Sequence, residues 1–107
     1  MKRLPVRWAQ AASLDLIEIV EFIGEDRPEA ARKLGSGLLR EASRLRSNPR
    51  QGKVVPELLE KGIADYRQLV VSTYRVIYAI RTEFIDIVSV IDGRRDIPAA
   101  LLQRLMR

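Results

Sequence analysis

The spacing of apolar residues changes along the chain, and each change marks an element. Leu4, Val6 and Trp8 alternate with Pro5 and Arg7, the period of a half-buried strand, with Pro5 suited to an edge or a strand start. From Ala9 to Gly24 the positions Leu16, Ile19, Val20 and Ile23 recur at helical spacing, while Asp15, Glu18, Glu21 and Glu25 form an acidic stripe on the other side. Asp26-Arg27-Pro28-Glu29 predicts the start of a second helix, with Asp26 as cap, Pro28 in the first turn and Glu29 as capping-box partner. Its core stripe is Ala31, Leu34, Leu38, Ala42 and Leu45, and Arg32, Lys33, Arg40, Arg44 and Arg46 make the rest basic. Ser47-Asn48-Pro49 ends it, because proline disfavours helical geometry in the residue before it. A short turn between two such helices predicts an antiparallel hairpin.

Arg50 to Ala64 contains Gly52, Lys53, Pro56, Lys61 and Gly62 without a period, which predicts a surface loop with room for one helical turn at Glu57 to Glu60. Tyr66 to Val71, Tyr74 to Ile80 and Phe84 to Ile91 are β-branched and aromatic runs separated by Ser72-Thr73 and Arg81-Thr82-Glu83, the pattern of a three-stranded antiparallel meander. Its middle strand is apolar on both sides, with Val76 and Ile80 on one and Ile77 and Ala79 on the other. One face should take the helical hairpin, and the other needs the C-terminal segment or a partner chain. Leu101, Leu102, Leu105 and Met106 fall at helical spacing between Pro98 and Met106, so a short amphipathic helix closes the chain, capped by Asp96 or Ile97. The expected fold is therefore α+β: an N-terminal strand, a two-helix hairpin packed on the meander and a short C-terminal helix, as one domain over residues 1–107.

Composition narrows the chemistry. There is no cysteine and no histidine, which excludes disulfides, thiolate catalysis, thiolate or imidazole metal sites and His-dependent nucleophilic devices. No metal or cofactor is expected, and acid–base work would fall to Lys, Arg, Tyr or carboxylates. Nineteen Lys and Arg against fourteen Asp and Glu leave a net charge of +5, which favours a polyanion or an acidic protein as partner. No stretch is long and apolar enough to act as a signal or a membrane span, so a cytoplasmic protein with no membrane partner is expected.

Several motifs sharpen this reading: Leu14-Asp15-Leu16-Ile17-Glu18-Ile19 with Phe22-Ile23, Pro28-Glu29-Ala30-Ala31, Tyr66-Arg67, Tyr74-Arg75-Val76-Ile77-Tyr78, and Ile91-Asp92-Gly93-Arg94-Arg95-Asp96. In this order, from about Val6 to Pro98, they resemble the RelE/ParE superfamily of bacterial type II toxin–antitoxin toxins. That resemblance implies a cognate antitoxin whose acidic or amphipathic C-terminal segment wraps the toxin and folds on binding. It also implies one of two targets, DNA gyrase for ParE-like members or the ribosome with its mRNA for RelE-like ones.

In the RelE-like reading, a ribosome-dependent endoribonuclease without metal, Arg95 braces the scissile phosphate with help from Arg94. The RelE pattern also implies an arginine late in the first meander strand and a tyrosine in the C-terminal segment, where this chain has Val70 and Leu101. Those departures favour the ParE-like reading, in which the toxin binds gyrase and performs no bond chemistry; a non-toxic nucleic-acid-binding or regulatory module is a further alternative. Lys53, Arg67 and Arg75 are candidate target or phosphate contacts. Arg67 is equally open to structural pairing with a carboxylate such as Asp65 or Asp86, and for Arg75 such pairing is the favoured reading. Tyr74 and Tyr78 share a strand face, which suits core packing better than base stacking.

Overall fold

The β-branched runs form the expected meander: β3 (Tyr66–Val71), β4 (Tyr74–Ile80) and β5 (Ile85–Asp92), each antiparallel to the next, in a computed structural model that describes residues 3–106. Two short strands extend it into a five-stranded sheet. β1 (Val6–Trp8) lies parallel to β5, and β2 (Lys53–Val54) lies antiparallel to β3, giving the order β1-β5-β4-β3-β2. The two-residue turn at Ser72-Thr73 places Ser72 in the left-handed region at φ 56°, as tight hairpins demand of one central residue.

The helical hairpin is α1 (Gln10–Gly24) and α2 (Pro28–Ser43), and a 3-10 turn at Arg44–Arg46 carries the stripe on to Leu45. Ala31, Leu38, Ala42 and Leu45 are buried, and the last three meet Leu69, Val76, Tyr78, Ile85, Ile87 and Val90 of the sheet in the first apolar core. The expected cap on α2 does not form. Arg27 occupies the cap position with no side-chain bond, and Glu29 pairs with Arg32 one turn on. Pro28 at the first helical position, which has no amide to satisfy, still marks the start.

The acidic stripe of α1 is also not wholly solvated. Asp15 turns toward the sheet, where its Oδ2 accepts from the Ser89 hydroxyl at 2.9 Å and the Val90 amide at 3.0 Å. This follows from β5 outrunning β1: beyond Ile87 no strand flanks that edge, and a carboxylate stands in for the missing carbonyl. Here β5 also carries a bulge. Tyr78 pairs with Ile87 but Ile77 pairs with Ser89, leaving Val88 as the extra residue.

The second face of the sheet is covered from within the chain. α3 (Pro56–Leu59) and α4 (Ala99–Leu105) bring Val55, Leu58, Ile97, Leu101 and Leu105 onto Ile77 and Val88 in a second core. The segment from Arg50 to Ala64 is therefore only partly the surface loop its composition suggests, since Val55 and Leu58 are fully buried. Neither Asp96 nor Ile97 caps α4: Pro98 holds the cap position without a side-chain bond, and the Ile97 amide is used elsewhere. Among the described residues no helix is long and apolar enough to cross a membrane.

Tyr78 ties the first core to the chain leading into β2. Its hydroxyl donates to the Pro49 carbonyl at 2.7 Å and accepts the Gly52 amide at 2.9 Å. Gly52 has to be glycine, because a Cβ there would sit 2.6 Å from the Gln68 carbonyl oxygen and 2.7 Å from the Tyr78 hydroxyl. A Tyr78→Phe substitution removes both bonds in a fully buried setting and should lower the unfolding free energy by about 1–3 kcal/mol in urea denaturation, with the fold retained by circular dichroism.

Candidate functional site

Of the functional candidates, Arg75, Arg94 and Arg95 converge on the end of the sheet where β5 runs out. Asp92, the last residue of β5, is followed by Gly93-Arg94-Arg95-Asp96, which turns back beneath the β3–β4 hairpin. The Gly93 amide donates to the Thr73 carbonyl, and a Cβ at Gly93 would lie 2.9 Å from that oxygen and 3.1 Å from Cγ of Arg75. Glycine thus lets the turn press against the hairpin. Between this turn, α3 and β3 lies an open cleft of about 630 Å³ whose walls include Glu57, Glu60, Gln68, Val70, Arg75 and the turn itself.

Arg75 is the hub of the cleft. Only 6% exposed, it forms a bidentate pair with Glu57, Nη1 to Oε1 at 2.9 Å and Nη2 to Oε2 at 2.6 Å. Nη1 also donates to Oε1 of Gln68 at 2.9 Å, and Nη2 to the Arg95 carbonyl at 2.8 Å. Glu57 Oε2 in turn accepts the Ile97 amide at 3.3 Å. One ion pair therefore fixes α3, β4 and both ends of the Arg95–Ile97 segment. The partner of Arg75 is neither Asp65 nor Asp86; Asp86 pairs with Arg81 at 3.2 Å.

The other arginines divide sharply. Arg94 is exposed and folds back on Asp92, Nε to Oδ1 at 3.0 Å and Nη2 to Oδ2 at 2.8 Å, so Asp92 neutralises it. This pairing holds the Asp92 carboxyl below the usual carboxylate range. Arg95 is exposed, and its guanidinium makes no hydrogen bond or ion pair among the described residues. Arg67 and Lys53 stand apart, outside the cleft. Arg67 donates to the Gly52 carbonyl at 2.7 Å, and Lys53 is exposed on the edge strand β2. Tyr78 is wholly in the core, where burial pushes its phenol up. Among the described residues no cluster of three His, Cys, Asp or Glu is placed to hold a metal ion.

The cleft and the turn sit in a chain that matches, over residues 6–97, the family described as the ParE toxin of the type II toxin–antitoxin system parDE. The chain belongs to the ParE toxin family. No curated protein sequence matches it. Among solved structures, a chain described as the chromosomal ParDE toxin–antitoxin system from P. aeruginosa superposes with a TM-score of 0.70 at 18% identity, over 84% of this chain and 96% of that one. At that identity the likeness concerns the fold, and the ParE-type sheet with its helical hairpin is common to both.

Glu57, Gln68 and Asp92 were not marked in the sequence as parts of this toxin's site. A signal for Glu57 existed in Val55 and Leu58, two apolar residues bracketing Pro56-Glu57 at a spacing that buries one side of a helical turn. The Arg75 guanidinium holds the Glu57 carboxyl down at about 2, through the direct hydrogen bonds first and the charge attraction with them. Because the folded value is depressed, the stabilisation is complete above the ordinary carboxylate range and lost as pH falls toward 2. Glu57→Gln should cost about 2–3 kcal/mol near neutral pH, discounted from a fully buried pair because the carboxylate keeps some solvent contact. The gap between wild type and variant in denaturant unfolding should close as pH is lowered from about 5 toward 2.

Proposed function

We propose that this ParE-family toxin arrests growth by binding DNA gyrase through protein–protein contact at the cleft and the Gly93-Arg94-Arg95 turn, and that a cognate antitoxin neutralises it. The observation that carries this reading is the state of the cleft's cations. Arg75 is committed to Glu57 and Arg94 to Asp92, and Glu60 and Asp96 line the same cleft. A phosphate-cleaving site needs cations free to meet charge building on phosphorus and groups free to move protons. A balanced set of charges around an exposed apolar residue suits a protein surface instead. Val70 supplies that residue: it is 66% exposed on the wall of the cleft, at the place where a RelE-like toxin would carry an arginine. Leu101, at the place of the RelE-like tyrosine, is packed in the second core and offers no proton.

In this reading Arg95 is the charged anchor for an acidic group on the target, and Val70 packs beside it. Arg67 and Lys53, lying outside the cleft, act as rim contacts of small weight. Arg75 contributes by holding the turn rather than by touching the target.

The ribosome-dependent endoribonuclease reading keeps one observation in its favour, the unpaired Arg95 guanidinium, and the same experiment separates the two. With purified gyrase and relaxed plasmid, the toxin should block supercoiling and accumulate cleaved complexes, and Arg95→Ala should raise the concentration required by ~10-fold or more. In a translation extract mRNA should remain intact. Unaltered supercoiling together with Arg95-dependent mRNA cleavage would replace this reading with the RNase, and expression without any growth arrest would replace both with a binding module.

A further inference from the structure

The outer face of the helical hairpin, turned away from the sheet, carries a charge pattern that the fold itself does not use. α1 has no basic residue along its length, and Glu18, Glu21 and, just past its end, Glu25 are exposed. The exposed side of α2 is basic, and its two carboxylates are already engaged within the helix, Glu29 with Arg32 and Glu41 with Arg44. That leaves Lys33 and Arg40 on one helix and three glutamates on the other. None of these five side chains makes a hydrogen bond or ion pair among the described residues, so no pair crosses between the helices. Apolar side chains sit among the charges: Leu14 and Ile17 on α1 and Leu39 on α2 are each 51% exposed.

Close packing between the helices fixes which residues share a level. A Cβ on Gly35 would lie 3.3 Å from Cγ2 of Val20, and one on Gly24 would lie 3.6 Å from Cβ of Ala31. Counted from these points along antiparallel helices, Glu21 is level with the turn of Lys33, Glu18 falls between Ser36 and Arg40, and Leu14 and Ile17 bracket Leu39. Level by level, the two outer faces complement each other. They lie side by side and face the same way, so one chain cannot bring them together. A nucleic acid would suit the cations of α2 alone, but the acidic helix beside them repels it and the three apolar side chains gain nothing from it.

We infer that this face is the docking site for a second copy of the chain, in a two-fold dimer whose axis runs parallel to the helices. That axis lays α1 of each copy on α2 of the other, whereas an axis across the helices stacks acid on acid and base on base. Glu21 and Glu25 then meet the partner's Lys33, Glu18 meets the partner's Arg40, and Leu14, Ile17 and Leu39 close the middle. Two helices of this length cover roughly 400 Å² on each copy, at the weak end of specific pairing, so the dimer is a reversible one. The cleft of Arg75 and Val70 lies on the α3 side of the sheet, and both copies keep it open. The inference does not rest on the target reading.

The test is sedimentation equilibrium of the purified full chain without antitoxin, over a range of concentrations at low salt. The parent chain should pass from monomer to dimer at about 10–100 μM. Glu21→Lys sets like charges opposite each other twice in every dimer, as does Lys33→Glu, so each alone should raise the dissociation constant by ~10-fold or more. Mixed one to one, the two variants should recover parent-like dimerisation, because each answers the changed residue of the other. Neither misfolding nor non-specific association produces that rescue. A parent chain still monomeric at ~1 mM, a dimer indifferent to both substitutions, or no recovery on mixing overturns the inference. A monomeric parent that binds duplex DNA, and loses it in Lys33→Glu, also overturns it and assigns the face to nucleic acid. Failure to inhibit gyrase with the dimer and its rescue intact defeats only the gyrase reading.

Discussion

Everything in this fold answers to one constraint, that its middle strand is apolar on both faces. Arg75 to Ala79 of β4 are all buried, and a sheet of this size has no second sheet to cover it. The helical hairpin takes one face with Ala12, Leu38 and Ala42. The other face has to be covered by whatever chain remains, and that chain is two short helices with little stability of their own. Their order comes from what they bury: Leu58 from one and Leu101 and Leu105 from the other against Ile77 and Val88.

Covering that face also builds the site. Placing α3 over β4 brings the Glu57 carboxylate onto Arg75, the one charged residue in the strand's buried stretch. A charge in such a place is tolerated only when paired and fully hydrogen-bonded, and Glu57, Gln68 and the Arg95 carbonyl meet most of its need. The Nε of Arg75 is the remaining buried polar atom without a partner among the described residues. Because the same carboxylate also takes the Ile97 amide, packing, charge and the path of the Arg94–Arg95 turn are one structure rather than three.

Much of this was legible in the residues. Period alone located the hairpin and the meander, since long runs at spacing 3.6 or 2 leave little choice. The glycine after an apolar strand is plain in the sequence at Gly93, and the turn it opens leaves Arg94 and Arg95 exposed. What escaped were features decided by distant chain. The pairing of β1 with β5 joins residues about eighty positions apart, and no local pattern records it. The Glu57–Arg75 pair crosses a segment whose glycines, prolines and lysines hide a two-residue strand too short to show a period; the helical turn expected at Glu57 to Glu60 does form, at Pro56–Leu59, but no local pattern records the strand its carboxylate meets. Asp15 read as one of a solvated stripe, yet it lies where the stripe borders the core, and only the absence of a strand beside Val90 draws it inward. The missing cap on α2 has a plainer cause: the fixed geometry of Pro28 starts that helix without Asp26.

The bulge at Val88 lets β5 carry one residue more than β4 offers partners for, while the pairing keeps the faces in step. Before it, Ile85 and Ile87 point to the hairpin; after it, Val90 does, and Ile91 joins the opposite core. Side chains in a strand alternate, so the extra residue changes which sequence positions, odd or even, meet the hairpin, while the register with β4 holds. Removing Val88 would restore a plain alternation with Ser89 still opposite Ile77 and Val90 opposite Val76, so the charged turn would leave the sheet from the same side. In this toxin the register with β4, more than the number of residues in β5, decides where the charged turn emerges.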